Sequence, residues 1–140
     1  MTCEEMSEKL KDAAESALGI PVVLAPQAAG GNTTRLELSF RDYAPNGENG
    51  GKLVFLAEYA TNGTHKKWLS ETVRLRARLH ALEKSFLPVD AGEAGALRAY
   101  WKSLGEGRWS YPSGEESSMP AEFRLTLRVE LDIPTNILEE

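Results

Sequence analysis

Near the C-terminus, twelve consecutive residues alternate without a break: Glu122, Arg124, Thr126, Arg128, Glu130 and Asp132 are polar, while Phe123, Leu125, Leu127, Val129, Leu131 and Ile133 are apolar. A period of two is that of a β-strand, so the segment must set one apolar and one polar face on a sheet. A strand with one wet face belongs to an antiparallel sheet covered on one side, and Pro134 ends the pattern. At about 3.3 Å per residue it spans ~40 Å, long for a chain of 140 residues.

Two earlier segments share the pattern. Leu36, Leu38 and Phe40 alternate with Arg35, Glu37, Ser39 and Arg41. From Lys52 to Ala60, Leu53, Phe55, Ala57 and Tyr59 form one face, but Val54 and Leu56 make the other apolar too, which predicts a central or doubly covered strand. The turn-rich stretch between them, Asp42 to Gly51, predicts a hairpin with a long, mobile tip. Its Asp42, Tyr43, Asn46, Glu48 and Asn49 are the candidate partner-contact residues. Shorter strands are expected at Val22–Ala25 and Arg108–Tyr111, with loops at Gly30-Gly31-Asn32 and Pro112–Pro120.

The helices are signalled differently. Thr2-x-x-Glu5 has capping-box form, Met6, Leu10, Ala13, Ala14, Ala17 and Leu18 follow at helical spacing, and Gly19 and Pro21 stop the run. Between Asn62 and Pro88 lies the strongest helix, with Trp68, Thr72, Leu75, Leu79, Leu82 and Phe86 on a core stripe. A weaker helix is expected from Asp90, with Leu97, Tyr100, Trp101 and Leu104 on one face and Gly105 as its stop. These elements define an α+β fold: a mostly antiparallel sheet of four to five strands with two to three helices packed on one face. With 41% apolar and 26% charged residues, residues 1–140 form one domain.

The main helix carries a second stripe that its sheet-facing side does not need. Leu69, Val73, Arg76 and His80 follow at helical spacing. They are either covered by the N-terminal or the third helix or, as arginine among apolar residues suggests, a candidate subunit interface.

Catalytic apparatus is not evident in the sequence. There is no G-x-S-x-G elbow, and Cys3, the only cysteine, reads as an ordinary exposed thiol. His65 and His80 are fifteen residues apart and share no ligand spacing, which predicts no metal. The start at Asp42 echoes a calcium loop, but Ala44 and Leu53 stand where ligands are required. Gly47, Gly50 and Gly51 form neither a phosphate loop nor a dinucleotide fingerprint, so no cofactor is expected. Asn32 and Asn62 sit in glycosylation-like triplets but read as turn formers, since no secretory signal precedes them. A net charge of −5 opposes nucleic-acid binding, and no apolar run reaches the ~20 residues of a membrane helix. The expectation is a cytoplasmic protein without enzymatic turnover.

The organisation of the chain, together with segments such as Lys52-Leu-Val-Phe-Leu-Ala-Glu-Tyr59 and Phe123-Arg-Leu-Thr-Leu-Arg-Val-Glu-Leu131, resembles the lambda-type phage tail terminator and minor tail proteins. The resemblance runs from Glu4 to Ile133, and residues 88–107 fit it less well. It implies a non-enzymatic tail protein of a phage or prophage, self-associating into a ring, often a hexamer, that terminates or joins the tail tube. Its partners would be copies of itself and other tail or head-completion proteins. It would be cytoplasmic during assembly and then part of the virion tail. The alternative from a different class is an acidic binding module such as a secretion-chaperone-like protein.

Overall fold

The computed structural model describes residues 2–25, 34–45, 50–63, 66–110 and 121–134. Helix α1 (Cys3–Leu18) begins where its sequence signal places it: the Thr2 hydroxyl accepts from Glu5 N–H, and the Glu5 carboxylate returns the bond to Thr2 N–H. Two amides that the first turn leaves orphaned are thereby satisfied. Met6, Leu10, Ala14 and Leu18, at four-residue spacing, are all buried, and Gly19 closes the helix in the left-handed region at φ 69°.

The strands are β1 (Val22–Leu24), β2 (Arg35–Pro45), β3 (Gly51–Gly63), β4 (Leu87–Asp90), β5 (Ala96–Ser103), β6 (Arg108–Ser110) and β7 (Ala121–Ile133), with helix α2 (Lys66–Lys84) between β3 and β4. They form one sheet in the order β1-β2-β3-β7-β5-β4, with β6 also on β7. Every pairing is antiparallel except β1 with β2. The expected α+β class therefore stands, with seven strands in place of four to five and two α-helices among the described residues. β3 is central, between β2 and β7, as its two apolar faces required.

One apolar face runs through every long strand. Leu38 lies opposite Ala57, Ala57 opposite Leu127, Val129 opposite Trp101 and Val89 opposite Leu97, and all are buried. Both helices cover this face: Leu75 and Leu79 of α2 join the same core as the buried side of α1. The sheet curls, as twisted strands do, until α1 touches β1 near one edge and β4 at the other.

The expected third helix is not formed. Residues 87–103 are a hairpin, β4–β5, turned by a single 3₁₀ turn at Gly92–Ala94 in which Gly92 and Gly95 both take positive φ. Leu97, Ala99 and Trp101 are buried while Arg98, Tyr100 and Lys102 are exposed, a period of two. Leu97, Tyr100, Trp101 and Leu104 also fit helical spacing, and in eight residues the two patterns coexist; ladder partners on β4 and β7 decide between them.

β5 and β6 are one path along β7 with a detour. Ser103 pairs with Leu127, Leu104 N–H donates to the Thr126 carbonyl (2.8 Å), and pairing resumes at Arg108 opposite Arg124. The path can detour because Gly107 leaves room for the Phe123 ring, which a β-carbon there would overlap.

Three smaller expectations also change. Asn62 is a strand residue opposite Glu122 rather than a turn former; Asn32 lies outside the described residues. The helical stripe ends at Leu82, and Phe86 instead packs on the polar side of β5, its ring 4.6 Å from the Arg98 guanidinium and edge-on to Tyr100. Cys3 is half-buried against the core rather than an exposed thiol.

Candidate assembly surface

The second stripe of α2 divides in two. Val73 is 69% exposed, so α1 does not cover it, and the covered alternative fails for that residue. Arg76 and His80 turn instead toward Glu83: Arg76 Nη1 lies 3.6 Å and His80 Nδ1 3.4 Å from its carboxylate. Glu83 in turn accepts from Ser103 N–H on β5 at 2.6 Å. Burial pushes the Glu83 carboxyl up, but the Ser103 bonds, His80 and Arg76 outweigh it and hold the group below its ordinary value. Glu83 is thus the fastening between α2 and β5, with Arg76 turned to it on the same helix, while the exposed residues of α2 include Val73, Arg74, Ala77 and Ala81. The side chain of Leu69 lies outside the described residues. On the flank, Arg78 donates to the Leu18 carbonyl (3.0 Å), adding a cation at the C-terminus of α1.

The hairpin tip is shorter than expected. Asp42 to Pro45 belong to β2, with Asp42 opposite Val54 and Tyr43 opposite Leu53, after a bulge that shifts the register between Phe40 and Asp42. The bulge places Phe40 and Tyr43 on the helix-bearing face, yet they are 46% and 42% exposed. Asn46, Glu48 and Asn49 lie outside the described residues. Along this stretch β2 has no neighbour on its outer side among the described residues, since β1 pairs only with Leu36–Leu38. The edge is blunted by devices known to discourage strand addition: the bulge, Pro45, and the Asp42 carboxylate, which accepts from Tyr43 N–H at 2.8 Å.

Beside that edge lies a cleft of about 460 Å³ between the start of α1 and the outer strands. Leu24, Leu38, Phe40 and Phe55 make its floor, with the two phenylalanine rings edge-to-face at 5.7 Å. Glu4, Ser7 and Glu8 form its α1 wall with Cys3 beneath. Burial raises the Cys3 thiol above its ordinary value, and the adjacent Glu4 carboxylate adds to this. Such a thiol stays protonated near neutrality and is a poor nucleophile.

On the opposite face of the sheet several charges are paired with one another. Glu130 accepts from Lys52 (3.0 Å) and Arg128 (2.9 Å), which hold its carboxyl low, Arg124 pairs with Glu58, and Arg35 with Glu37 (3.4 Å). Lys52–Glu130 and Arg124–Glu58 join β3 to β7, the other two pairs lie within one strand, and charges paired in this way have little to gain from a further partner. Among the described residues, no cluster of three His, Cys, Asp or Glu side chains has metal-holding geometry, and no helix is long and apolar enough to cross a membrane.

No family model matches the chain, and no curated protein matches it. Among solved structures, its backbone is similar to that of a chain in one described as the virion of a native gene transfer agent (GTA) particle, with a TM-score of 0.44 and 16% identity, covering 91% of this chain and 92% of that one.

Proposed function

We propose that this protein is a non-enzymatic structural subunit of a phage-like tail, one that assembles with copies of itself into a ring at the end or a junction of the tail tube. The observation that carries the assembly reading is the cleft beside β2, an apolar floor with a half-exposed Phe40 next to a sheet edge built against strand addition. Exposed aromatics over a concave apolar surface are the usual anchor of a protein contact. The tail assignment comes from the resemblance of the chain's organisation to tail terminator proteins. The non-enzymatic part is supported by a thiol that burial keeps protonated and by a histidine, His80, whose ring is turned to Glu83 on the same helix.

Sedimentation velocity and negative-stain electron microscopy of the purified chain test this directly. Closed rings of about six copies are expected. A monomer across the micromolar range refutes the ring, and a stable dimer that captures peptides favours the secretion-chaperone-like alternative.

A further inference from the structure

We infer that the ring contact is heterologous, with Val73 and Arg74 on helix α2 of one copy seated in the cleft between α1 and β2 of the next, Arg74 facing Glu4 and Glu8. The inference rests on the self-assembly reading above and names the surfaces that perform it.

Charge is sorted between the two helices. α1 carries Glu4, Glu5, Glu8, Asp12 and Glu15 against Lys9 and Lys11. α2 carries Lys66, Lys67, Arg74, Arg76, Arg78 and Lys84 against Glu71 and Glu83. An acidic protein with one basic helix thus holds complementary surfaces within a single chain.

The partners already taken sharpen the choice. Lys11 is tied to Glu15 at 2.7 Å, Arg76 to Glu83 and Arg78 to the Leu18 carbonyl. Among the described residues no ion pair occupies Glu4, Glu8 or Arg74, so the charges on the cleft wall and on the exposed ridge are open to a partner from another copy. The apolar parts match as well. Val73 is the most exposed large hydrophobic residue of the described chain, Ala77 one turn on lets a neighbour approach closely, and the cleft offers a floor of Phe40, Leu38 and Leu24.

A single copy cannot bring these surfaces together. The cleft is built from the first turns of α1, while Arg78 of α2 meets α1 at its last residue, Leu18. Sixteen helical residues at about 1.5 Å each separate the two ends by ~24 Å. Two different patches that complement each other across copies make a head-to-tail contact, the type that closes into rings. Sheet extension is disfavoured at the same edge by the bulge, Pro45 and the Asp42 bond to Tyr43 N–H, which leaves side-chain docking as the mode of contact.

Charge reversal tests the contact in the full-length chain. Arg74→Glu alone, and Glu4→Lys with Glu8→Lys, should each weaken self-association by about tenfold or more, with circular dichroism unchanged for Arg74→Glu because that side chain is exposed. Combining all three substitutions in one chain, or mixing the two variants, should restore assembly, since either arrangement restores opposite signs across the contact. Val73→Asp should weaken assembly without restoration by any charge partner. Rings that form equally well in every reversal variant overturn this contact while leaving the ring itself standing. Loss of assembly that neither combination nor mixing restores also overturns it. A wild-type chain that never self-associates overturns both readings. If the α1 reversals unfold the chain, Arg74→Glu and Val73→Asp decide, and rings intact in both refute the inference.

Discussion

Removing the Glu83 carboxylate should loosen α2 from β5 and should do so only where that carboxylate is ionised. In Glu83→Ala the Ser103 amide loses an acceptor held at 2.6 Å, and Arg76 loses its only described counter-charge. A charge-assisted bond to a part-buried amide contributes about 1.5–3 kcal/mol, the long Arg76 contact a few tenths more, and the better helix propensity of alanine returns a similar amount. The net expectation is a loss of about 2 kcal/mol at pH 7. For a chain of this length that corresponds to a melting point lower by ~7 °C. Glu83→Gln keeps an acceptor without the charge and should lose about half as much. The sign with pH follows from the depressed carboxyl: its stabilisation is present above the ordinary glutamate range and is lost as pH falls through the lower folded value. Thermal unfolding followed by circular dichroism at pH 7, and at the lowest pH where the wild type stays folded, should therefore show the gap between wild type and Glu83→Ala narrowing on acidification. Amide exchange at Ser103 should quicken in the variant. Equal melting points at pH 7, or a gap of the same size at both pH values, would refute the reasoning.

Further substitutions probe separate parts of the fold. Tyr100→Glu, on the polar side of β5, should change stability by less than about 1 kcal/mol, whereas Ala99→Glu, fully buried and one residue away, should abolish folding as judged by near-UV circular dichroism. Gly107→Ala should lower stability by about 1–3 kcal/mol in urea titration, because its new methyl group meets the Phe123 ring. Gly19→Ala should cost about 1 kcal/mol through the left-handed conformation at that position, measured by the same titration.

The parts of this chain that were legible as written are those in which a local rule acts on adjacent residues. The capping box at Thr2 and Glu5 and the unbroken alternation from Glu122 to Asp132 each satisfy one period over a length at which no other period fits, so α1 and β7 form where the residues place them. The two apolar faces of β3 likewise implied its central position, because only neighbours on both sides shelter Val54 and Ala60. Residues 97–104 are the contrary case: their spacing suits a helix and a strand equally, and the choice came from β4 and β7, which supply hydrogen bonds that a helix there would forgo. The candidate site divides along the same line. Val73 and Arg76 stand three residues apart on one stripe, but the position of Ser103, twenty residues beyond Glu83, draws Arg76 inward through Glu83 and leaves Val73 in solvent. The cleft had no sequence signal, since it joins the first turns of α1 to β1, β2 and β3, which are separate segments of the chain. It exists because the sheet curls around α1, a consequence of strand twist accumulated over the whole sheet that no window of neighbouring residues contains.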